Sequence, residues 1–165
     1  MANRSFAQML RQNHAIEHAT VTLLSQRVPG VSLVGRSDLQ GFTLFGELET
    51  GVIEEVANQA LARLQAGESA LAVHPNCGTN LVTAGMLSGL AATLAVSGRN
   101  RSWADRIPAS LLAATLALIV AVPAGRWMQE NVTTDPQVDG LAITGVVRQG
   151  GPVTRHRVLI GQAGA

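Results

Sequence analysis

The chain has 165 residues, of which 47% are hydrophobic and only 14% charged, and its formal net charge is +1. A soluble domain carries about 25% charged residues, so part of this surface is not built to face water, in keeping with a positive mean hydropathy of +0.23. All twelve basic residues are Arg and they are scattered along the chain, which excludes the clustered basic face that displaces counterions from nucleic acid; the single cysteine, Cys77, excludes an intramolecular disulfide.

Residues 5–27 are predicted to form a helix with Phe6, Met9, Ile16, Leu23 and Leu24 on one side and Arg11, His14, His18 and Ser25 on the other. Arg, His and Glu interrupt this stretch, so it does not read as the apolar centre of an export signal. Pro29-Gly30 ends it. Two short strands are expected next, at about 31–34 and 42–48, separated by a turn-rich segment from Gly35 to Gly41. The second alternates Phe42, Leu44 and Leu48 against Thr43 and Glu47. Thr50 is the expected N-cap of a helix over 51–66, and Gly67 its terminating C′ residue. Leu71-Ala72-Val73 is read as a short third strand, completing an αββαβ domain over residues 1–80.

From Leu81 to Gly98 no residue is charged, and at 1.5 Å per residue this run reaches about 27 Å, close to the thickness of a bilayer core. A second uncharged run extends from Ile107 to Gly125. Arg99, Arg101, Trp103 and Arg106 lie between the two, and Arg126 and Trp127 follow, as membrane interfaces select. Residues 81–127 are therefore expected to be a transmembrane helical hairpin with spans 81–98 and 107–125. Gly85-x-x-x-Gly89 and the Ala113, Ala117, Ala121 series supply small residues for close helix packing, within the hairpin or between two copies. Residues 128–165 hold a β-hairpin, about 141–148 and 153–160 around Gly150-Gly151-Pro152. Two spans return the chain to its starting side, so this hairpin is expected to pack on the first domain and join its sheet. The fold class is thus an α+β membrane protein.

Two segments carry candidate chemistry. Asn13-His14-Ala15-Ile16-Glu17-His18 contains H-x-x-E-H. On a helix, His14 and His18 stand one turn apart, so both imidazoles reach one metal ion with Glu17 beside them. The spacing resembles the inverzincin motif, and the resemblance implies His14 and His18 as zinc ligands and Glu17 as the base toward a metal-bound water. The acidic third ligand of inverzincins has no counterpart in the apolar runs. His74 and Cys77, an H-x-x-C pair in His74-Pro75-Asn76-Cys77-Gly78-Thr79-Asn80, are the candidates in its place. All four would close a structural zinc site; His14, His18 and His74 alone would leave a position open for water. The alternatives are that the helix histidines are simply solvated and that residues 74–80 cap the entry to a span.

The N-H-A-I-E-H-A-T helix, G-R-S-D-L-Q-G-F and the H-P-N-C-G-T-N-L entry to the hairpin together resemble an uncharacterised bacterial family of small two-span membrane proteins, a domain of unknown function. That resemblance implies the architecture and no activity. Two functions are compatible with the residues. One is a non-enzymatic subunit or assembly factor of a membrane complex, holding a structural metal, with the bilayer and a homodimer or larger assembly as partners. The other is a membrane-anchored zinc hydrolase using Glu17. Zinc is the only cofactor the residues suggest, and nucleic acid is not an expected partner. The loop Arg residues favour a cytoplasmic loop by one Arg, while the absence of an export signal argues against carrying the domain outward. The domain is accordingly placed on the cytoplasmic side of a bacterial inner membrane.

Overall fold

The computed structural model describes residues 4–97 and 102–164. In chain order it contains helix α1 (Phe6–Arg27), strands β1 (Val34–Asp38) and β2 (Gly41–Phe45), helix α2 (Thr50–Gln65), a 3₁₀ turn (Ser69–Ala72), helices α3 (Gly78–Val96) and α4 (Trp103–Met128), a π-helical turn (Gln129–Thr133), and strands β3 (Leu141–Gln149) and β4 (Arg155–Gln162). These form two compact units, residues 1–74 with 130–165, and residues 75–129.

The first unit is a two-layer α+β domain. Its four-stranded antiparallel sheet has the order β1-β2-β4-β3, so the C-terminal hairpin pairs with the N-terminal one through β2 and β4. Both α1 and α2 pack on the sheet, α1 against β1 and β2 and α2 against β3. Phe42 and Leu44 on β2 and Val158 on β4 point into the layer between, where they meet Ile16, Leu24, Ile53 and Val56. Removing these side chains from water is the main source of stability here. Helix α2 ends as its sequence implies. Gly67 adopts φ +92°, its N–H bonds Leu64 O, and the Glu68 N–H bonds Arg63 O, a Schellman closure that gives the last carbonyls partners.

Several expectations need correction. The first strand runs from Val34 to Asp38, so Gly35-Arg36-Ser37-Asp38 is strand and not loop; only Leu39-Gln40 turns the chain, with the Gln40 N–H bonded to the Asp38 carboxylate at 2.9 Å. Leu71-Ala72-Val73 is not a third strand. The segment is too short to found a ladder and closes instead as a 3₁₀ turn through Leu71 N–H to Glu68 O. Thr50 is the first helical residue of α2, and Glu49 takes the cap position without a side-chain cap bond. Helix α1 is covered on more than one side: Gln12, Asn13, Glu17 and His18 are buried along with Ile16 and Leu24, whereas Phe6 is 73% exposed. The polar side of α1 therefore faces protein. Gly98, Arg99 and Arg101 lie outside the described residues.

In the second unit, α3 and α4 pack along each other. Among the described residues they are the two helices long and apolar enough to cross a membrane, and at 1.5 Å per residue α3, with 19 residues, reaches about 28 Å. Their seam is made of small side chains. Ala84, Leu87, Ser88, Ala91 and Ala95 are among the partly covered positions of α3, and Ala113 and Ala117 among those of α4, where Ala121 and Gly125 are buried. A Cβ on Gly125 would stand 2.5 Å from Asn80 Oδ1, so only glycine lets the two helices approach there. Gly85 and Gly89 are not in this seam, since a Cβ on either would meet nothing within 4 Å. The outward faces carry Leu81, Met86, Leu90, Leu94, Leu111, Leu116, Ile119 and Val122, all exposed.

Candidate metal centre

Helix α1 sets the site. Ser5 caps its first turn by accepting the Gln8 N–H, and the one-turn spacing then brings His14 and His18 together edge to face, ring centroids 4.3 Å apart. One ring nitrogen of each lies within 4.8 Å of the other. The ring of His74, in the segment after the 3₁₀ turn, lies 5.9 Å from that of His18. Three imidazoles expected from sequence are thus neighbours within the first unit. His18 is only 3% exposed, which disposes of plain solvation for that residue.

Backbone carbonyls orient two of the rings. His14 Nδ1 is 2.9 Å from Thr133 O, and His18 Nδ1 is 2.7 Å from Ala72 O. A carbonyl only accepts, so Nδ1 must carry the proton in both neutral rings, and the lone pair falls on Nε2. Metal-ligating histidines are held in this way, with the non-ligating nitrogen donating to a carbonyl or carboxylate. The 3₁₀ turn matters for this reason, because it aims the Ala72 carbonyl at α1. Neutral imidazoles are ligands for zinc, copper and nickel, not for calcium or magnesium.

Glu17 points elsewhere. It is buried, and its Oε2 accepts the Ser37 hydroxyl at 2.5 Å from β1. Its Oε1 fills the space a side chain on Gly35 would need. Asn13, one turn earlier, donates from Nδ2 to Asp38 O at 2.7 Å, so α1 is stitched to β1 at two points. Cys77 belongs to the second unit, where it is buried and caps α3, its sulfur accepting the Thr79 N–H at 3.4 Å. The cap expected within residues 74–80 is thus the Cys77 thiol. Asn80 bonds Pro75 O and receives the Gln129 amide instead.

Sequence reasoning missed Arg11, whose guanidinium donates to Asn131 O at 3.2 Å and Thr134 O at 3.0 Å on either side of the carbonyl that holds His14. It also missed the Ser37 partner of Glu17. Carbonyl partners leave no mark on residue type, and Ser37 looked like a turn former until the strand was in place.

Fold and site together define a small α+β domain bearing a three-histidine cluster, in a chain with two helices apolar enough to cross a membrane. The family model for a domain of unknown function, DUF6391, matches residues 9–146, and the chain belongs to that family. An uncharacterised protein of Picosynechococcus sp. is 35% identical over 139 residues, covering 76% of this chain and 65% of that protein. The chain therefore spans about 65% of the length of the curated relative it matches. No solved structure matches. The expectation of an uncharacterised bacterial family holds.

Proposed function

We propose that this chain is a two-span integral membrane protein whose α+β domain holds a transition-metal ion on His14, His18 and His74, in a binding or assembly role and not a hydrolytic one. The observation that carries the metal reading is the pair of carbonyl bonds on Nδ1 of His14 and His18, which leave Nε2 as the lone-pair nitrogen of each neutral ring. Cys77, three residues beyond His74 in the chain, is the candidate fourth donor and would make the site a closed structural one. Zinc is the first metal to test. The membrane reading is supported by two apolar helices whose large side chains face outward with nothing over them.

The hydrolase alternative asks Glu17 to take a proton from metal-bound water. Its carboxylate is turned to β1 and engaged by Ser37, which favours binding over catalysis. For assembly, Gly85 and Gly89 are the relevant residues, since bare backbone outside the hairpin seam is what helix association between chains uses. With two spans the domain segments share one side, taken as the cytoplasmic face of a bacterial inner membrane; a reporter fused to the C-terminus that is active only outside the cytoplasm overturns that placement.

The deciding experiment is elemental analysis of detergent-purified protein alongside a His14→Ala/His18→Ala variant. Near-stoichiometric zinc in the first and its loss in the second is the expected result. No uptake by the native chain, or equal uptake by both, removes the metal. An activity on any ester or peptide that Glu17→Gln abolishes while metal is retained restores the hydrolase.

A further inference from the structure

The carbonyl that orients His14 sits in an unusual piece of backbone. The chain leaves α4 through a π-helical turn, Gln129–Thr133, and then runs extended to β3. The last carbonyls of any helix lack intrahelical partners and must find them elsewhere. π turns are also frequent at functional sites. Here α1 supplies partners to four carbonyls between Asn131 and Gln137. Arg11 Nη2 donates to Asn131 O and to Thr134 O, His14 Nδ1 donates to Thr133 O between them, and Gln12 Nε2 donates to Gln137 O at 2.5 Å. The Asp135 N–H returns a bond to Arg11 O at 3.1 Å, so each segment donates to the other.

One guanidinium therefore fixes the peptide units on both sides of the one that accepts from His14. Both bonds leave one nitrogen, Nη2, whose two N–H groups are fixed in the guanidinium plane, whereas the three N–H groups of an ammonium turn freely about its stem. The carbonyl in turn selects the His14 tautomer and ring plane. Arg11 touches no ligand nitrogen, and its effect on the site runs through Thr133.

We infer that Arg11 is a positioning residue for the metal centre, holding the Asn131–Thr134 backbone so that Thr133 O keeps His14 as the Nδ1–H tautomer with Nε2 as the donor. The inference rests on the metal reading above and deepens it by naming the ligand atom and what sets it. Partners that orient a ligating histidine are typically worth about 10–100-fold in metal affinity, and the loss of Arg11 is expected to fall in that range.

The test uses the full-length protein in detergent with cobalt(II) as a visible probe, and reads His14 nitrogen shifts by NMR in the metal-free state. The native chain should bind cobalt and show His14 protonated on Nδ1. Arg11→Met should weaken cobalt binding by about 10–100-fold and shift His14 toward a mixture of tautomers, with Arg11→Lys recovering only part of either. Arg27→Met, also on α1, which removes the exposed pair with Glu55 of α2, controls for a general loss of stability and should leave both readouts unchanged. Native protein that binds cobalt, with Arg11→Met equal to it in affinity and in His14 tautomer, overturns this inference alone. Native protein that takes up no cobalt overturns the metal reading and this inference with it. If Arg11→Met fails to fold, the partial effect of Arg11→Lys on the His14 tautomer decides, and an unchanged tautomer there counts against the role.

Discussion

Glu17 on α1 lies directly over Gly35 on β1: a Cβ on Gly35 would stand 2.0 Å from Glu17 Oε1. The carboxylate thereby occupies the volume that the missing side chain vacates, while its other oxygen takes the Ser37 hydroxyl. Gly35→Ala is expected to destabilise the domain by about 1–3 kcal/mol, the usual cost of overpacking. Glu17→Ala in the same background should recover part of that loss. A thermodynamic cycle over the two positions measures the coupling, and simple additivity would refute the contact.

The three imidazoles make different contributions. His14 and His18 are oriented by carbonyls, whereas His74 enters from the segment after the 3₁₀ turn. Zinc titration by calorimetry should show a larger loss of affinity for His14→Ala or His18→Ala than for His74→Ala. Chelation should lower the melting temperature of the native chain, since a metal bound only by the folded state stabilises it by mass action.

His156 on β4 is fully buried; its Nδ1 lies 3.4 Å from the Thr50 hydroxyl, and its Nε2 is without a hydrogen-bond partner among the described residues. Burial first, then the charge of Arg148, hold its proton affinity below the ordinary value of 6.5, against a smaller opposing effect of Glu47. The unfolded chain therefore takes up a proton more readily than the folded one as pH falls below 6.5. Stability is complete above that pH and declines beneath it, down to the depressed folded value. Melting curves at pH 7.5 and 5.5 should converge in His156→Leu relative to the native chain. An equal acid loss in both would assign the effect to other groups.

Asp38 closes the β1–β2 turn and accepts two bonds of 2.7 Å from the Arg157 guanidinium, which hold its carboxyl below the usual carboxylate range. The Asp38 side chain is half open to water although that of Arg157 is largely covered, so Arg157→Ala is expected to cost only about 0.5–1 kcal/mol. The stabilisation belongs to pH values above the ordinary carboxylate range and fades as acid protonates Asp38. Its signature is a rise of the Asp38 titration toward the ordinary value in Arg157→Ala, read by NMR.

Gly125 and Gly85 give opposite expectations on the hairpin. Gly125→Leu would drive a side chain into Asn80 and should separate α3 from α4, abolishing a disulfide engineered between the two helices. Gly85→Leu meets nothing within the chain and should leave that cross-link intact. If Gly85→Leu also converts a larger detergent particle to a single chain, the outward glycine face is the assembly contact.

Residue order was enough to locate both apolar helices, α1 to within a residue, the Gly67 stop and the C-terminal hairpin, because each depends on patterns that lie within one segment: uncharged length, 3.6-residue spacing, a glycine in the left-handed region, alternation about a turn. It also nominated His14, His18 and His74, whose spacing on a helix and residue type are local facts. What it could not decide was everything set by a neighbour distant in the chain. Gly35-Arg36-Ser37-Asp38 has turn composition and becomes a strand because β2 pairs with it and Glu17 packs over its glycine. The polar side of α1 is buried because β1, the 3₁₀ turn and the segment after α4 all close on it. Which nitrogen of each histidine holds the proton is fixed by Ala72 O and Thr133 O, and a carbonyl is common to every residue, so only the folded chain could reveal those two.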